Sequence, residues 1–576
     1  MCGIFAIIHY GECPAINIDL GEIKKNFLKC STRGPEKSTF EYYEKEQVVL
    51  GFHRLAINGF NNEASGQPLE KDGCTLICNG EIYNWKQLAT ASKTSCPTGS
   101  DCEVIINIYR KYGIARTLQM IDGVFAFLLW DHEKGEMYIA RDPYGVRPLF
   151  IWTTDKPGVS PIVIASEVKI GMNIVPYEPK TFHPGTYMWV TATGSTVRSY
   201  HTICSTPKLH IKNVGDTAAM IRDALVKAVR KRVDNTDREI ACLLSGGLDS
   251  SLITALVARE YTQRYGPTGA KKLHTWSIGM NGSEDLMYAR KVATFLGTTH
   301  HEIKLTEKEF LEVIPEVIYA IESNDTTTVR ASVGNWLVCK HIKAGCDAKV
   351  IFNGDGSDEV TGGYLYFHYA PSPSAFDKEC RRLLEDIHYF DVLRSDRSIS
   401  SHGLEPRTPF LDKNFVETYL SIPANLRDHS NNKKCEKYLL RNAFDTLDIL
   451  PRDVLWRTKE AFSDGVSKHT RSWFEIIQEF ARDMTGVSDM ACAEQLYYDH
   501  IFHEIYGSKK HTRHIMPYKW MPSFIDAKDA SARTLGVYQQ TIDFELPDLG
   551  PPPSNLEEPP PRGGEGVEAD SVIGSL

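Results

Sequence analysis

Two short segments of the sequence carry residues that could do covalent or phosphate chemistry, and the first is the N-terminus. Cys2 directly follows Met1. Removal of Met1 would leave the Cys2 thiol beside a free α-amine, whose usual pKa of about 7.7–8.0 keeps it partly neutral near pH 7. A thiol with a neighbouring base can form the thiolate, which is the nucleophilic form. Cys2 is therefore a candidate nucleophile that supplies its own base.

The second segment, SGGLDSS at residues 245–251, is typical of an anion-binding loop. It follows the apolar run ACLL and precedes an apolar helical pattern, so a strand–loop–helix unit is predicted. Gly246 and Gly247 let the backbone approach an anion, and the following helix presents unpaired N–H groups. The loop also contains an acid, Asp249. The presence of an acid at an anion site is explained if it holds Mg²⁺. The lysine of a GxxxxGK[ST] loop is absent, so a different kind of phosphate site is predicted.

Residues 1–203 must position the first of these sites, and their sequence pattern is typical of β-sheets. Short β-patterned runs such as QVVLGFHRLAI and VFAFLLW are separated by Gly, Asn, Asp and Pro. One helical pattern, DCEVIINIYRKYG, interrupts them. Two packed sheets with few helices are predicted for this region.

Eight short motifs run through the same region in order: MCGIFAI, RGPE, GFHRLAI, GQPL, CNGEIYN, TGSDCE, GVFAFLLW and RDPYGVRPLF. Together they resemble the class II glutamine amidotransferase domain, an N-terminal-nucleophile glutaminase, over nearly all of residues 2–200. The resemblance implies an αββα sandwich that hydrolyses glutamine to glutamate and ammonia. One position departs from the family, which usually has His where this chain has Thr32; we expect a small effect, because that position is not expected to contact substrate.

The resemblance also implies roles for individual residues. Cys2 would attack the glutamine side-chain amide, and Asn79 with Gly80 would form the oxyanion hole, where one donor contributes about 3–4 kcal/mol. Arg54 would pair with the α-carboxylate of the substrate, since a guanidinium suits bidentate contacts. Glu81 and Asp101 would receive the α-ammonium. The expected glutamine-binding set is Arg54, Leu55, Ala56, Ile57, Asn58, Asn79, Gly80, Glu81 and Asp101.

The pattern changes after residue 203, which is where we place the domain boundary. A linker-like stretch, CSTPKLHIKNVGD, is followed by helices alternating with the strand-like runs EIACLL, KLHTWSIGM, HHEIKL and KVIFNG. This alternation predicts an α/β domain with a parallel sheet. The basic run 227–232 is expected to be a solvated helix face. The predicted domains are residues 2–203 and 213–545, followed by a disordered tail at 546–576 that is rich in proline and acids.

The loop SGGLDSS resembles the pyrophosphate loop of ATP pyrophosphatases. The segments ESNDTTTVRAS, NGDGSDEVTGGYLYFHYAP, EPRTPFLD, WRTKEAFSDGV and DASARTLGVY follow it in order. With the N-terminal motifs, they resemble the glutamine-dependent asparagine synthetase family over most of the chain. The resemblance implies that ATP activates aspartate as β-aspartyl-AMP with release of pyrophosphate, and that ammonia then displaces AMP.

Site residues of this second domain are implied in the same way. Arg330 and Lys459 would supply positive charge around pyrophosphate, and Asp249 with Asp358 would hold Mg²⁺. Asp355 would be a catalytic acid near aspartate. The expected ATP and pyrophosphate residues are Leu243, Ser245, Gly246, Gly247, Asp249, Ser250, Ile278, Asn353 and Gly354.

One position in this set departs from the family, whose loop generally has Glu where this chain has Asp355. The carboxylate of Asp355 is one methylene closer to the backbone, and a misplacement of about 1 Å can cost about 100-fold in rate. Either the loop compensates, which we favour, or adenylate formation is slow.

The composition of the chain argues against several functional classes of protein. The 576 residues carry a net charge of −9, which argues against a general nucleic-acid binder. We find no secretory signal and no stretch of about 20 apolar residues that could span a bilayer. The fourteen cysteines form no CxxC pair, so neither a zinc site nor a disulfide framework is expected. The expected setting is cytoplasmic, with glutamine, aspartate and ATP as partners and without nucleic acid or membrane; a homodimer stays open.

Two alternatives remain at this stage. The first is another amidotransferase, but SGGLDS excludes the phosphoribosyl- and sugar-isomerase-linked kinds, and a β-lactam-forming relative would normally have lost Cys2. The second is a catalytically dead homologue that acts as a binding or scaffold protein. The two complete sets of site residues favour an enzyme.

Overall fold

The structure, a computed structural model, describes residues 1–10, 19–154, 160–266, 272–430, 434–468, 470–507, 514–527 and 529–539. The tail expected at 546–576 lies outside these residues. In the N-terminal half the strands are β1 (Gly3–Ile8), β2 (Lys37–Tyr43), β3 (Val48–Arg54), β4 (Leu69–Lys71), β5 (Cys74–Ile82), β6 (Gly123–Asp131), β7 (Glu136–Arg141), β8 (Phe150–Trp152), β9 (Ile162–Ala165), β10 (Lys180–Thr181), β11 (Thr186–Thr191) and β12 (Gly194–Ser199). The helices of this half are α1 (Leu20–Leu28), α2 (Trp85–Ser92), α3 (Glu103–Met120) and α4 (Val168–Gly171).

These strands form two antiparallel sheets, in the orders β10-β8-β9-β1-β3-β2 and β12-β11-β7-β6-β5-β4. Apolar side chains from both sheets, among them Leu50 and Leu128, fill the layer between them. α1 and α4 cover the outer face of the first sheet, and α2 and α3 cover that of the second. The predicted αββα sandwich is confirmed. The sequence indicated only α3, because α1, α2 and α4 are too short to show a clear helical period.

In the C-terminal half, the strands are β13 (Ile240–Leu243), β14 (His274–Met280), β15 (Thr299–Leu305), β16 (Val350–Phe352) and β17 (Glu405–Arg407). The helices are α5 (Gly215–Asp234), α6 (Leu248–Tyr265), α7 (Glu284–Leu296), α8 (Glu307–Glu312), α9 (Ile314–Ile321), α10 (Thr326–Gly345), α11 (Ser357–Thr361), α12 (Pro373–Asp386), α13 (Asp391–Ser400), α14 (Lys413–Leu420), α15 (Ala424–Arg427), α16 (Tyr438–Phe444), α17 (Arg452–Leu455), α18 (Phe462–Gly465), α19 (Trp473–Thr485), α20 (Met490–Tyr506) and α21 (Gly536–Gln539).

The C-terminal strands pair in parallel in the order β15-β14-β13-β16-β17, which confirms the predicted α/β sheet. Helices α5, α6 and α7 pack on one face of the sheet, and α9 and α10 pack on the other. β13 lies between β14 and β16. The connection from β13 leads to β14, toward one edge of the sheet, and the connection from β16 leads to β17, toward the opposite edge. The crevice at such a switch point, at the carboxyl ends of the strands, is where ligands bind in open α/β sheets.

The two halves share buried contacts. Tyr83 and Tyr144 of the sandwich pack into the same apolar cluster as α5 and α6. The guanidinium of the buried Arg33 lies 2.9 Å from Glu167 and 2.8 Å from Asp396, which belongs to α13. Buried charges of this kind need partners, so the position of each half depends on the other. Within the described part of the chain, no helix has the length and apolar character that crossing a membrane requires.

Candidate active sites

Cys2 lies directly before β1, which pairs with β3 and β9 inside the first sheet. Its thiol sulfur is 3.5 Å from both the amide nitrogen and the carbonyl oxygen of Leu55. Its carbonyl oxygen accepts a hydrogen bond of 3.0 Å from Nε of Arg33. Burial raises the pKa of the Cys2 thiol to about 11, so the thiol needs a base to become a nucleophile.

Met1 is buried and contacts the C-terminal half of the protein. Its amino group donates a hydrogen bond of 3.2 Å to the carbonyl oxygen of Leu404. Burial lowers the pKa of this amino group to about 5, so it is neutral at pH 7. The same surroundings would favour the neutral, basic form of a Cys2 amine once Met1 is removed.

Asn79 lies on β5, which contacts β1 across the sandwich. It is fully buried, and neither its amide nitrogen nor its amide oxygen has a hydrogen-bond partner among the described residues. An unpaired buried amide costs free energy unless a ligand satisfies it. The neighbouring Gly80 could not carry a side chain, because a Cβ there would lie 2.4 Å from the carbonyl oxygen of Val124. The unpaired Asn79 amide suits a donor to a reacting oxygen.

The two acids expected to bind the glutamine α-ammonium are both buried near this strand. An oxygen of Glu81 accepts hydrogen bonds from the amides of Asn58, at 2.8 Å, and Asn235, at 3.0 Å. Burial and the charge of Asp101 raise the pKa of Glu81, while Arg407, at 3.3 Å, opposes the shift. Asp101 accepts a 2.6 Å hydrogen bond from the Ile82 amide, and burial raises its pKa to about 6.

Arg54 ends β3, and the loop that follows it forms one wall of this region. Its guanidinium donates to the hydroxyl of Ser65 and, at 3.3 Å, to the carbonyl oxygen of Gly59. These contacts orient the side chain but leave it partly exposed. The expected wall residues Leu55, Ala56 and Ile57 are buried.

The second candidate site is a cavity of about 230 Å³ at the carboxyl ends of β13 and β16. A Cβ on Gly354 would lie 2.8 Å from both the Ser250 amide and the Asp249 side chain, so only glycine lets the two loops come this close. The predicted site residues that line the cavity are Leu243, Ser245, Gly247, Asp249, Ser250, Ile278, Asn353, Gly354, Asp355, Asp358 and Lys459.

Two lysines and two acids converge in this cavity. The ammonium of Lys437 lies 2.5 Å from Asp249 and 2.6 Å from Asp358. The ammonium of Lys459 lies 2.9 Å from the other oxygen of Asp358. Burial alone would raise the pKa of Asp358, but the two lysines hold it well below its usual range. Asp358 is therefore charged at neutral pH.

The same two acids are the candidates for holding Mg²⁺. No group of three or more His, Cys, Asp or Glu side chains with metal-ligand geometry occurs among the described residues. Mg²⁺ at nucleotide sites is usually bound by one or two carboxylates together with substrate phosphates. Asp249 and Asp358 both contact the Lys437 ammonium, so oxygens from both acids converge on one positive charge.

Asp355 is oriented by a charged partner. One of its oxygens lies 2.8 Å from the guanidinium of Arg394, and the other is buried without a partner among the described residues. Arg394 also contacts Asp391, which accepts a 2.9 Å hydrogen bond from the amide of Gly356. Two residues near the start of α13, Asp391 and Arg394, thus hold the loop and the carboxylate of Asp355 in place.

Comparison with known proteins matches a different family model to each half of the chain. A family model described as a glutamine amidotransferase domain matches residues 1–179, and the asparagine synthase model matches 220–374 and 370–527. The asparagine synthetase [glutamine-hydrolyzing] of Gallus gallus is 39% identical, over 94% of this chain and 100% of that protein. The chain belongs to the asparagine synthetase family. The Bos taurus enzyme of the same name is 38% identical, over 94% of this chain and 99% of that protein.

In this member of the asparagine synthetase family, two of the predicted site residues do not reach the cavity. Arg330 is buried in ion pairs with Glu494, at 2.5 Å, and Asp529, at 2.8 Å, and it is not among the lining residues. A guanidinium held by two carboxylates is not free to bind pyrophosphate. Gly246 also lies outside the lining; it has a φ of +79°, and a Cβ there would lie 2.5 Å from the amide of Ala289. Its role is to pack the loop against α7.

The sequence analysis missed Lys437 and Arg394. Lys437 comes just before α16 and Arg394 lies in α13, both far along the chain from the loops that they contact. Each is a single basic residue in a mixed polar segment, so no spacing marked them out. The scaffold alternative loses its support, because the curated relatives that match nearly the whole chain are named as glutamine-hydrolysing asparagine synthetases.

Proposed function

We propose that this protein is a glutamine-hydrolysing asparagine synthetase, which converts ATP, L-aspartate, L-glutamine and water into AMP, pyrophosphate, L-asparagine and L-glutamate. The observation that carries the proposal is the presence of two complementary sites in one chain. Cys2 packs against an apolar cluster that includes Ile77 of β5, and β5 also carries the unpaired amide of Asn79. The cavity at Asp249, Asp358 and Lys437 has the charges that a Mg²⁺–pyrophosphate group needs.

In the first half-reaction, the Cys2 sulfur attacks the amide carbon of glutamine after Met1 has been removed, and the Cys2 amine takes the thiol proton. The Asn79 amide and the Gly80 N–H donate to the oxyanion. Ammonia leaves with that proton, and water hydrolyses the thioester to glutamate. Arg54 binds the α-carboxylate, while Glu81 and Asp101 bind the α-ammonium. Leu55, Ala56, Ile57 and Asn58 form the adjacent wall of the substrate site.

In the second half-reaction, a β-carboxylate oxygen of aspartate bonds to the α-phosphorus of ATP, and the bond to the pyrophosphate oxygen breaks. Lys437 and Lys459 stabilise the departing charge. Asp249 and Asp358 would hold Mg²⁺, which supplies further positive charge to the pyrophosphate when it is bound. The adenosine lies against the backbone of Leu243, Ile278, Asn353 and Gly354, with the phosphates at Ser245, Gly247 and Ser250.

Ammonia then adds to the β-carbonyl carbon of the adenylate, and AMP leaves. The unpaired oxygen of Asp355 is available to accept a proton from the nitrogen as the new C–N bond forms. The proposal places the enzyme in the cytoplasm, acting on small molecules without nucleic acid or a membrane, either alone or as a homodimer. The acidic net charge of −9 supports the exclusion of a nucleic-acid partner.

The test is a product assay for asparagine, AMP and pyrophosphate with aspartate, glutamate or another amino acid as the acceptor. Aspartate should be the acceptor that yields all three products. Cys2→Ala should lose glutamine hydrolysis and keep synthesis from ammonia, whereas Asp249→Ala should lose synthesis and keep basal glutamine hydrolysis. A folded Cys2→Ala protein without ammonia-dependent synthesis would contradict the division of labour, and no AMP with aspartate would contradict the function.

A further inference from the structure

A second cavity, of about 560 Å³, opens between the two halves of the protein and outside both candidate sites. The N-terminal half contributes the start of α2 and the residues just before it. The C-terminal half contributes α5, the residue after it and the end of α6. The lining residues are Tyr83, Trp85, Lys86, Gln87, Lys227, Arg230, Lys231, Asp234, Asn235 and Arg264.

The lining of this interface cavity is basic. It includes the cations Lys86, Lys227, Arg230, Lys231 and Arg264, against the single acid Asp234. The chain as a whole has a net charge of −9, so this is not the general character of its surface. Lys227 lies three and four residues before Arg230 and Lys231 on one face of α5, where like charges repel each other.

Some of these charges are already balanced. Arg230 pairs with Glu260 at 3.0 Å, Arg264 with Asp234 at 2.7 Å, and Lys231 with Asp122 at 2.5 Å. Lys86 and Lys227 are exposed, and within the part of the chain that the structure describes neither contacts a carboxylate. The ammonium of Lys86 lies 5.3 Å from the centre of the Trp85 ring. The cavity thus presents two ammonium groups that no carboxylate among the described residues neutralises, and an aromatic ring beside one of them.

We propose that the interface cavity binds a phosphate-bearing anion, with the phosphate between Lys86 and Lys227. The sources that share this chemistry are inorganic phosphate and a nucleoside monophosphate, whose base would stack on Trp85. Ammonium groups bind phosphate as point charges, and aromatic rings accept bases by stacking.

The cavity also contacts the glutamine site. The indole N–H of Trp85 donates a 2.9 Å hydrogen bond to the side-chain oxygen of Asn235. The amide nitrogen of Asn235 in turn donates a 3.0 Å hydrogen bond to Glu81. An anion that draws Lys86 and Trp85 toward it would therefore change the position of an acid that binds glutamine. This coupling rests on the proposed function, whereas the binding itself does not.

Calorimetric titration of the full-length protein with inorganic phosphate, and separately with uridine monophosphate, tests the site. The variant Lys86→Glu/Lys227→Glu should bind about tenfold more weakly or worse, because two attractive charges become repulsive. The matched control Lys24→Glu/Lys29→Glu makes the same charge change on two exposed lysines, one in α1 and one directly after it, and should bind as the parent does. Absence of saturable binding of both probes, or unchanged binding by the cavity variant, would overturn the proposal.

Two substitutions of Trp85 distinguish the two possible ligands and test the coupling to the glutamine site. If a nucleotide is the ligand, Trp85→Leu should weaken uridine monophosphate and leave phosphate unchanged. Equal weakening of both probes, or of neither, would assign the site to inorganic phosphate alone. Trp85→Phe keeps a ring but removes the indole N–H, so it should retain binding.

The coupling is read from the KM for glutamine. Saturating probe should shift this KM in the parent and not in Trp85→Phe. An unchanged KM in the parent would overturn the coupling while leaving the site in place. A protein without any glutamine hydrolysis would refute the proposed function, and the titrations would still decide the binding.

Discussion

The ammonium of Lys437 lies 2.5 Å from the carboxylate of Asp249 although the two residues are 188 positions apart in the chain. The Lys437 side chain is almost fully buried, so its charge is fixed in place. A fixed charge in a site that excludes water stabilises developing negative charge better than a solvated one does. Lys437 thereby joins Lys459 as a cation at the proposed pyrophosphate position.

Replacement of Lys437 tests that role. Lys437→Met should lower aspartate-dependent pyrophosphate release by about 100-fold or more, because one preorganised electrostatic group is lost. Glutamine hydrolysis by the same protein should continue. Since breaking a buried ion pair can cost about 3–5 kcal/mol of stability, thermal unfolding must be recorded beside the rates. Wild-type pyrophosphate release by a folded Lys437→Met protein would remove this lysine from the mechanism.

Asp355 offers a test of side-chain length. Because Arg394 orients its carboxylate at 2.8 Å and Asp391 holds the loop, we expect the backbone to compensate for the missing methylene. Asp355→Glu should therefore change synthesis by less than about tenfold, whereas Asp355→Ala should reduce it by about 100-fold or more. Asparagine formation from ammonia measures the whole of synthesis, and ATP–pyrophosphate exchange with aspartate measures adenylate formation alone. Asparagine formation by Asp355→Ala that matches the parent would exclude the residue, and a large gain in Asp355→Glu would show that compensation fails.

The pH dependence of glutamine use should report Asp101. Burial raises the pKa of its carboxyl to about 6, so the group is charged above that pH and neutral below it. Only the charged form attracts the α-ammonium of glutamine. The KM for glutamine should thus rise as the pH falls from 7 to 5, by up to about tenfold per unit below the pKa. Asp101→Asn should have a high KM and lose the titration near pH 6, so that any remaining pH dependence belongs to Glu81; a parent-like pH profile in that variant would assign the titration elsewhere.

Arg330 should matter for stability rather than for chemistry. Its guanidinium is buried between Glu494 and Asp529, and its removal would leave two buried acids without a partner. Arg330→Gln should therefore destabilise the fold by about 3–5 kcal/mol, measured by denaturant unfolding. Lys459→Gln is the comparison, because it should lose synthesis with a smaller loss of stability. Native stability of Arg330→Gln together with lost pyrophosphate release would restore the role expected from the motif.

Local features of both sites could be read from the sequence because short-range geometry sets them. SGGLDSS needs only its glycines and the strand and helix beside it to form an anion loop, and Cys2 is a nucleophile candidate through its position alone. The alternation of strand and helix was enough to predict the parallel sheet, because a parallel connection requires a crossover. The tail at 546–576 and the exact domain limits stay predictions.

Other features depended on which distant charges the fold brings together. The basic run 227–232 was expected to be solvated, but the tertiary structure buries Arg232, whose guanidinium lies 2.6 Å from Asp412. The same packing leaves Lys227 and Lys86 in the lining of the interface cavity. It also places Arg330 in ion pairs with two acids and Lys437 in an ion pair with Asp249. A residue type and its near neighbours determine what a side chain can do, but the free energy of a buried charge depends on partners that only the folded chain supplies.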